Sequence, residues 1–259
     1  MRGFSLSKLK FSISTLTSCS GCVASLMALD VFPQFLERTD LIYFPFMTDS
    51  EEIVEHDIAL VEGCVSNPND IEILKKIRTN SVKVYALGSC AAFGGILSLS
   101  NKKDADPITK YIEIDGIIPG CPPPEKFLGN LLIRLIENKE ITLSEKNLCA
   151  TCPLRETINL FRTPKRIETI YSNPYEFLEK KEDRSCFLNR GILCLGPITR
   201  DGCEQKCIEK GIPCEGCMGP ISKDFTSNVV NFLGLFEVSE KFKRYKGIFY
   251  RFSKPQLEK

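Results

Sequence analysis

Thirteen cysteines in 259 residues constrain this chain more than any other feature of its sequence. A disulfide scaffold of a secreted protein is usually shorter and has an even cysteine count. In a reducing compartment, clustered cysteines bind metal or carry out redox chemistry. The single histidine, His56, excludes sites that need two imidazoles, including Rieske centres and two-histidine zinc fingers. All-thiolate sites remain, and soft thiolates suit both zinc and iron–sulfur clusters.

The remaining composition narrows the class. Hydrophobic residues make up 43% of the chain, charged residues 26%, and the formal net charge is +1. This is an ordinary globular composition with no pull toward nucleic acid or an acidic membrane. No apolar run reaches membrane-spanning length, so no direct membrane insertion is expected. The opening MRGFSLSKLKF lacks an apolar h-region and a twin arginine, so we expect no export signal and a cytoplasmic location.

Residues 1–140 read as alternating strands and helices. Strands are predicted at 11–16, 41–46, 58–61 and 82–87, with a further extended run at 111–118; Pro45 marks the second as short or at an edge. Helical spacing appears at 23–29, 70–78 and 124–136, the last opened by prolines. This alternation predicts an α/β fold, a parallel sheet with helices on both faces. From 141 to 259 the character changes to cysteine, proline, glycine and charge, with little regular structure, and metal–thiolate bonds would have to stabilise it. The basic-aromatic stretch KFKRYKGIFYRF near the end reads as packing on the body or on a partner.

In an open α/β sheet, ligands bind at the carboxyl ends of the strands. Cys19 and Cys22 follow the first strand as C-x-x-C, Cys90 follows the strand at 82–87, and Cys121 follows the run at 111–118. Four thiolates meeting there match the ligand set of a cubane cluster. Cys64 also follows a strand and competes for a place in the set, although a lone cysteine commonly serves as a small buried hydrophobe. Glu62 points into the same region, either to relay protons or to accept structural hydrogen bonds. The other eight, Cys149, Cys152, Cys186, Cys194, Cys203, Cys207, Cys214 and Cys217, divide into two four-thiolate sites. The simplest division is sequential, spacing alone does not fix it, and zinc ribbons are the alternative for this half.

The motifs TSCSGC, VEGC, GSCAAFGG, PGCPPPE, NLCATC, ILCLGPITRDGC and IPCEGCMGP resemble, in order, those of the small subunit of nickel–iron hydrogenases. The similarity runs from about residue 11 to 220. It is greatest to the cytoplasmic archaeal group, with its methanogen coenzyme-non-reducing gamma subunit and sulfhydrogenase delta subunit. The resemblance implies a flavodoxin-like N-terminal domain with a proximal cluster on Cys19, Cys22, Cys90 and Cys121. It implies a C-terminal iron–sulfur domain with a distal cluster on Cys149, Cys152, Cys186 and Cys194, and a medial cluster on Cys203, Cys207, Cys214 and Cys217. Two departures from periplasmic relatives matter. Cys149 stands where they have histidine, and Cys207 offers a fourth medial ligand, so all three clusters are expected to be four-iron–four-sulfur forms.

With twelve cysteines so assigned, too few remain for a nickel–iron centre, which the family places on a separate large subunit. The expectation is therefore an electron-transfer subunit, inactive alone, that relays electrons from H2 oxidation on that partner to a further iron–sulfur or flavin subunit. A quinone-reductase subunit, an adaptor whose partner lacks nickel, and a non-redox zinc scaffold are the alternatives. The first of these has adjacent cysteines at the first motif and lacks the later clusters.

Overall fold

A computed structural model describes residues 8–50, 52–99, 105–155, 166–170, 174, 185–221, 225–237 and 251–252. The chain divides into two compact units, Met1–Thr142 and Leu143–Lys259. In the first, strands β1 (Leu9–Thr15), β2 (Thr39–Tyr43), β3 (His56–Glu62), β4 (Ser81–Leu87) and β5 (Gly116–Ile118) form one sheet in the order β2-β1-β3-β4-β5. Every neighbouring pair is parallel. This is the flavodoxin-like winding order, whose direction reverses between β1 and β3.

Alternation along the strands feeds two apolar layers, because successive side chains leave a strand on opposite faces. Ile58, Leu60, Tyr85 and Leu87 enter one core with α1 (Gly21–Met27), α2 (Phe32–Arg38) and α5 (Glu125–Ile136). Ala59, Val61, Val84 and Ala86 enter the other, with Leu74 and Ile77 of α3 (Pro68–Asn80) and Ala91 and Ala92 of α4 (Gly88–Phe93). The central strands are therefore buried on both faces and read as continuous apolar runs.

Three local readings change. The helix α2 falls where no periodicity is visible: with seven residues, it is held by the stacked pair Phe32 and Phe35, with ring centroids 6.3 Å apart. The helix α4 is built from small residues that carry no helical apolar pattern. The extended run at 111–118 is strand only from Gly116. Before it, Tyr111 and Ile112 donate to the Ile108 carbonyl, which keeps the chain coiled, and Asp115 Oδ2 accepts the Val84 N–H at 2.8 Å. That side chain supplies the acceptor a longer β5 would have provided.

His56 opens β3, at the opposite end of the sheet from the cysteines. Its Nδ1 lies 2.7 Å from the Val54 carbonyl, which places the proton there, and Ser12 and Ser81 hydroxyls each lie 2.8 Å from Nε2. Burial lowers its pKa, only partly offset by Val54 and by Asp57. An unfolded histidine titrates at ~6.5, so below that pH the unfolded chain takes up a proton that the native site refuses. Stability from neutral His56 should be complete above this range and fall as the pH drops through it. Denaturation midpoints from pH 7 to 5 check this, and His56→Gln should flatten the slope.

The second unit has its own core of Leu148, Phe187, Leu195, Ile198, Ile208 and Phe232, which also takes in Cys194 and Cys214. Its described regular structure consists of 3-10 turns and two helices, α6 (Lys206–Glu209) and α7 (Phe225–Gly234). Of the basic-aromatic stretch, only 251–252 lie among the described residues, and Arg251 pairs with Glu215 at 3.1 Å. Among the described residues, no helix is long and apolar enough to cross a membrane.

Candidate metal centres

The strand register sets the first site. Thr15 is paired with Glu62, Glu62 with Leu87, and Leu87 with Ile118, so four strands end in one row. Cys19 and Cys22 come from the turn into α1, Cys90 from the first turn of α4, and Cys121 from the loop after β5. All four lie at the carboxyl edge, two of them beside the winding reversal.

Their thiols lie close enough to act on one another electrostatically. Burial pushes the Cys90 thiol up to about 12, and Cys121, Cys64, Cys19 and Glu62 push the same way. Cys22 is raised mainly by burial, then by Glu62, Cys90 and Cys121. Cys121 is raised by burial, with Cys19 and Glu62 adding to it. Cys22 is buried and Cys90 half-buried, whereas Cys19 and Cys121 are exposed; Cys22, Cys90 and Cys121 resist ionisation until a cationic centre offsets the charge. Two glycines provide further fit. A Cβ on Gly88 would overlap Cys22 Sγ, and one on Gly95 would overlap Cys90 Sγ; both sit at positive φ, 84° and 60°. The space over these sulfurs is thus kept free of side chains, and the donor set suits an all-thiolate cluster.

Glu62 organises one wall. It is 1% exposed, its Oε1 accepts the Cys22 N–H at 2.9 Å, and its Oε2 has no hydrogen-bond partner. Burial raises its pKa, while backbone donors from Cys22 and Val23 pull it back. Asp70 organises another. One carboxylate oxygen accepts from Thr17 Oγ1 at 2.8 Å, Ser66 N at 2.9 Å and Asn67 Nδ2 at 2.8 Å. It thereby ties the Cys19 turn to the start of α3. Cys64 is fully buried beside this site, donates to the Thr17 carbonyl at 3.4 Å, and is pushed up to about 11 by burial first and by Asp70 next.

In the second unit, burial pushes Cys149 up to about 12, with Cys152 and Cys186 adding to it. Cys194 is also pushed up to about 12, by burial and then by Cys149 and Cys186 against backbone donors Gly196 and Cys214. A Cβ on Gly196 would lie 3.1 Å from Cys149 Sγ and 3.7 Å from Cys194 Sγ, another surface kept clear beside sulfur. Two pairs are seen among the last four. Cys207 is pushed up to about 11 by burial and then by Cys203, and Glu215 also raises it. Cys214 is raised by burial, then by Cys194 of the preceding four and by Cys217. Among the described residues, no three His, Cys, Asp or Glu side chains are grouped closely enough to hold a single metal ion.

Comparison with known proteins follows the same geography. Over 259 aligned residues the chain is 33% identical to a vhu F420-non-reducing hydrogenase subunit of Methanocaldococcus jannaschii, covering 86% of this chain and 87% of that one. The chain belongs to this family of hydrogenase subunits. Sulfhydrogenase 2 subunit delta of Pyrococcus furiosus is 30% identical, with coverage of 89% and 92%. Residues 19–135 match the family described as NADH ubiquinone oxidoreductase, 20 Kd subunit, a stretch that begins at Cys19 and includes Cys22, Cys90 and Cys121. The hydrogenase relatives extend across both units. Among solved structures, the fold is shared with the actinobacterial-type NiFe-hydrogenase of Ralstonia eutropha H16, at a TM-score of 0.63 and 15% identity over 92% of this chain and 84% of that one. It is also shared with the NiFeSe hydrogenase of Desulfovibrio vulgaris Hildenborough, at 0.59 and 16% over 86% and 97%.

Proposed function

We propose that this chain is the electron-transfer subunit of a nickel–iron hydrogenase complex, an oxidoreductase acting on H2, and that it is inactive alone. The observation that carries the reading is the convergence of Cys19, Cys22, Cys90 and Cys121 on the carboxyl edge of the sheet. On this reading those four hold a proximal four-iron–four-sulfur cluster. Cys149, Cys152, Cys186 and Cys194 hold a distal one, and Cys203, Cys207, Cys214 and Cys217 a medial one. Bound clusters of this kind supply one-electron oxidation and reduction, at potentials set by hydrogen bonds to sulfur, charge and exposure. The chain's residues do the rest. Glu62 anchors the Cys22 backbone, Gly88 and Gly95 leave room over the sulfurs, and the core around Leu195 and Phe187 keeps water from Cys194 and Cys214.

Only Cys64 is left over, so the nickel–iron centre belongs to a partner large subunit, and a further iron–sulfur or flavin subunit takes the electrons onward. The family's methanogen and Pyrococcus members support a cytoplasmic archaeal setting. Anaerobic purification of the complex followed by iron and sulfide analysis tests the reading. About twelve irons are expected on this chain, with broad visible absorption. Stoichiometric zinc in a colourless protein would sink it. Cys64→Ser should leave the iron content unchanged; loss of one cluster's iron would move a ligand role to Cys64.

A further inference from the structure

Three buried hydrogen bonds run in series between the two C-terminal thiolate groups. The Thr199 hydroxyl donates to the Leu195 carbonyl at 2.7 Å, the Leu195 N–H donates to the Cys214 carbonyl at 2.9 Å, and the Cys214 N–H donates to Cys194 Sγ at 3.4 Å. Thr199 is 1% exposed, Leu195 1%, Cys214 5% and Cys194 7%. The series thus begins on an uncharged side chain outside both cysteine sets and ends on a sulfur. On the way it passes through the backbone of a cysteine from one set to reach the thiol of the other.

The segment that carries Thr199 is held from both sides. Leu148 N–H donates to the Thr199 carbonyl at 2.9 Å, one residue before Cys149, and Arg200 N–H donates to the Gly219 carbonyl at 2.9 Å, two residues after Cys217. An antiparallel bridge joins Thr199 to Pro220 and another joins Arg200 to Asn147. The stretch from Thr199 to Arg200 is therefore clamped between the backbone leading into Cys149 and the backbone leaving Cys217.

We propose that Thr199 is a positioning residue that sets the reduction potential of the cluster held by Cys194, by holding the Leu195–Cys214 junction through which the Cys214 N–H reaches Cys194 Sγ. The proposal rests on the cluster assignment above. Hydrogen bonds to ligand sulfur stabilise the more negative, reduced cluster and so raise its potential. Removing the hydroxyl loosens the Cys214 N–H donor on Cys194 Sγ, so the potential of that cluster should move downward.

The test is an EPR-monitored redox titration of the whole complex carrying Thr199→Val, which keeps the branched shape and removes the hydroxyl, beside Thr199→Ser, which restores it. Iron is counted in both. Expected are full iron content in both variants, one potential shifted negative in Thr199→Val with the other two unchanged, and a return toward wild type in Thr199→Ser. Wild-type potentials in a fully loaded Thr199→Val protein would overturn the proposal. So would loss of iron from Thr199→Val, which would make the residue merely structural, or a Thr199→Ser protein that behaves like the valine variant. A wild-type complex without its full iron complement would instead overturn the cluster assignment itself.

Discussion

On the proposed cluster assignment, Gly88→Ala is expected to remove the first cluster and leave the other two. Gly88 sits at φ 84°, where a Cβ costs a non-glycine residue roughly 1–2 kcal/mol. The strain is the smaller part of the effect. The added methyl would overlap Cys22 Sγ, the most deeply buried thiol of the four. The backbone at Gly88 has little freedom to withdraw, because the next residue is tied to the loop that carries Cys121. Ser89 N–H donates to the Gly120 carbonyl at 2.9 Å, and Gly120 N–H donates to Ser89 Oγ at 3.3 Å. Moving Gly88 away from Cys22 therefore displaces Cys90 and Cys121 as well. The chain should lose about four irons while the C-terminal cysteines keep theirs. Iron and sulfide analysis with EPR of the reduced protein measures this. Gly234→Ala is the matched control, since a Cβ there meets nothing within 4 Å. A fully loaded Gly88→Ala protein would show that Gly88 does not pack against the Cys22 sulfur.

The parts of this architecture that could be read from sequence are those written in local patterns. β3 and β4 announce themselves as apolar runs because both faces of each strand are covered. The helices α3 and α5 are long enough for 3.6-residue spacing to show. Strand-end placement of Cys19, Cys22, Cys90 and Cys121 follows from the same patterns, because a parallel winding sends every strand's carboxyl end to one edge. Short elements without a pattern were not legible. The helix α4 has small residues where an apolar stripe would be, and α2 depends on two phenylalanines packing into a core assembled from distant strands. Asp70 reaches back to Thr17 across 53 positions, and no spacing rule anticipates that. Cys194 and Cys214 read as members of separate sets, yet the fold puts the amide of one on the sulfur of the other. The glycines were legible as turn formers, whereas which sulfur each one clears depends on three-dimensional closeness.

Glu62→Ala should cost both stability and the first cluster, whereas Glu62→Gln should cost little of either. The short helix α1 begins at Gly21 without a side-chain cap of its own: Ser20 precedes it at φ 60° and makes no capping hydrogen bond. Its first donor is met instead by a carboxylate at the last residue of β3: the Cys22 N–H reaches Glu62 Oε1 at 2.9 Å. Alanine leaves that donor buried without an acceptor, at about 1–3 kcal/mol. It also opens a space beside Cys22 into which α1 can shift. Glutamine keeps a carbonyl oxygen at the same reach, so the helix start and the Cys22 sulfur stay in place. Because Glu62 Oε2 makes no hydrogen bond, the amide nitrogen that replaces it breaks none. Denaturation midpoints and iron content of the two variants, measured side by side, separate anchoring from mere presence of a carboxylate. An alanine variant with wild-type stability and full iron would show that α1 holds Cys22 without help. A glutamine variant as poor as alanine would mean that the carboxylate's charge, rather than its acceptor oxygen, holds the site together.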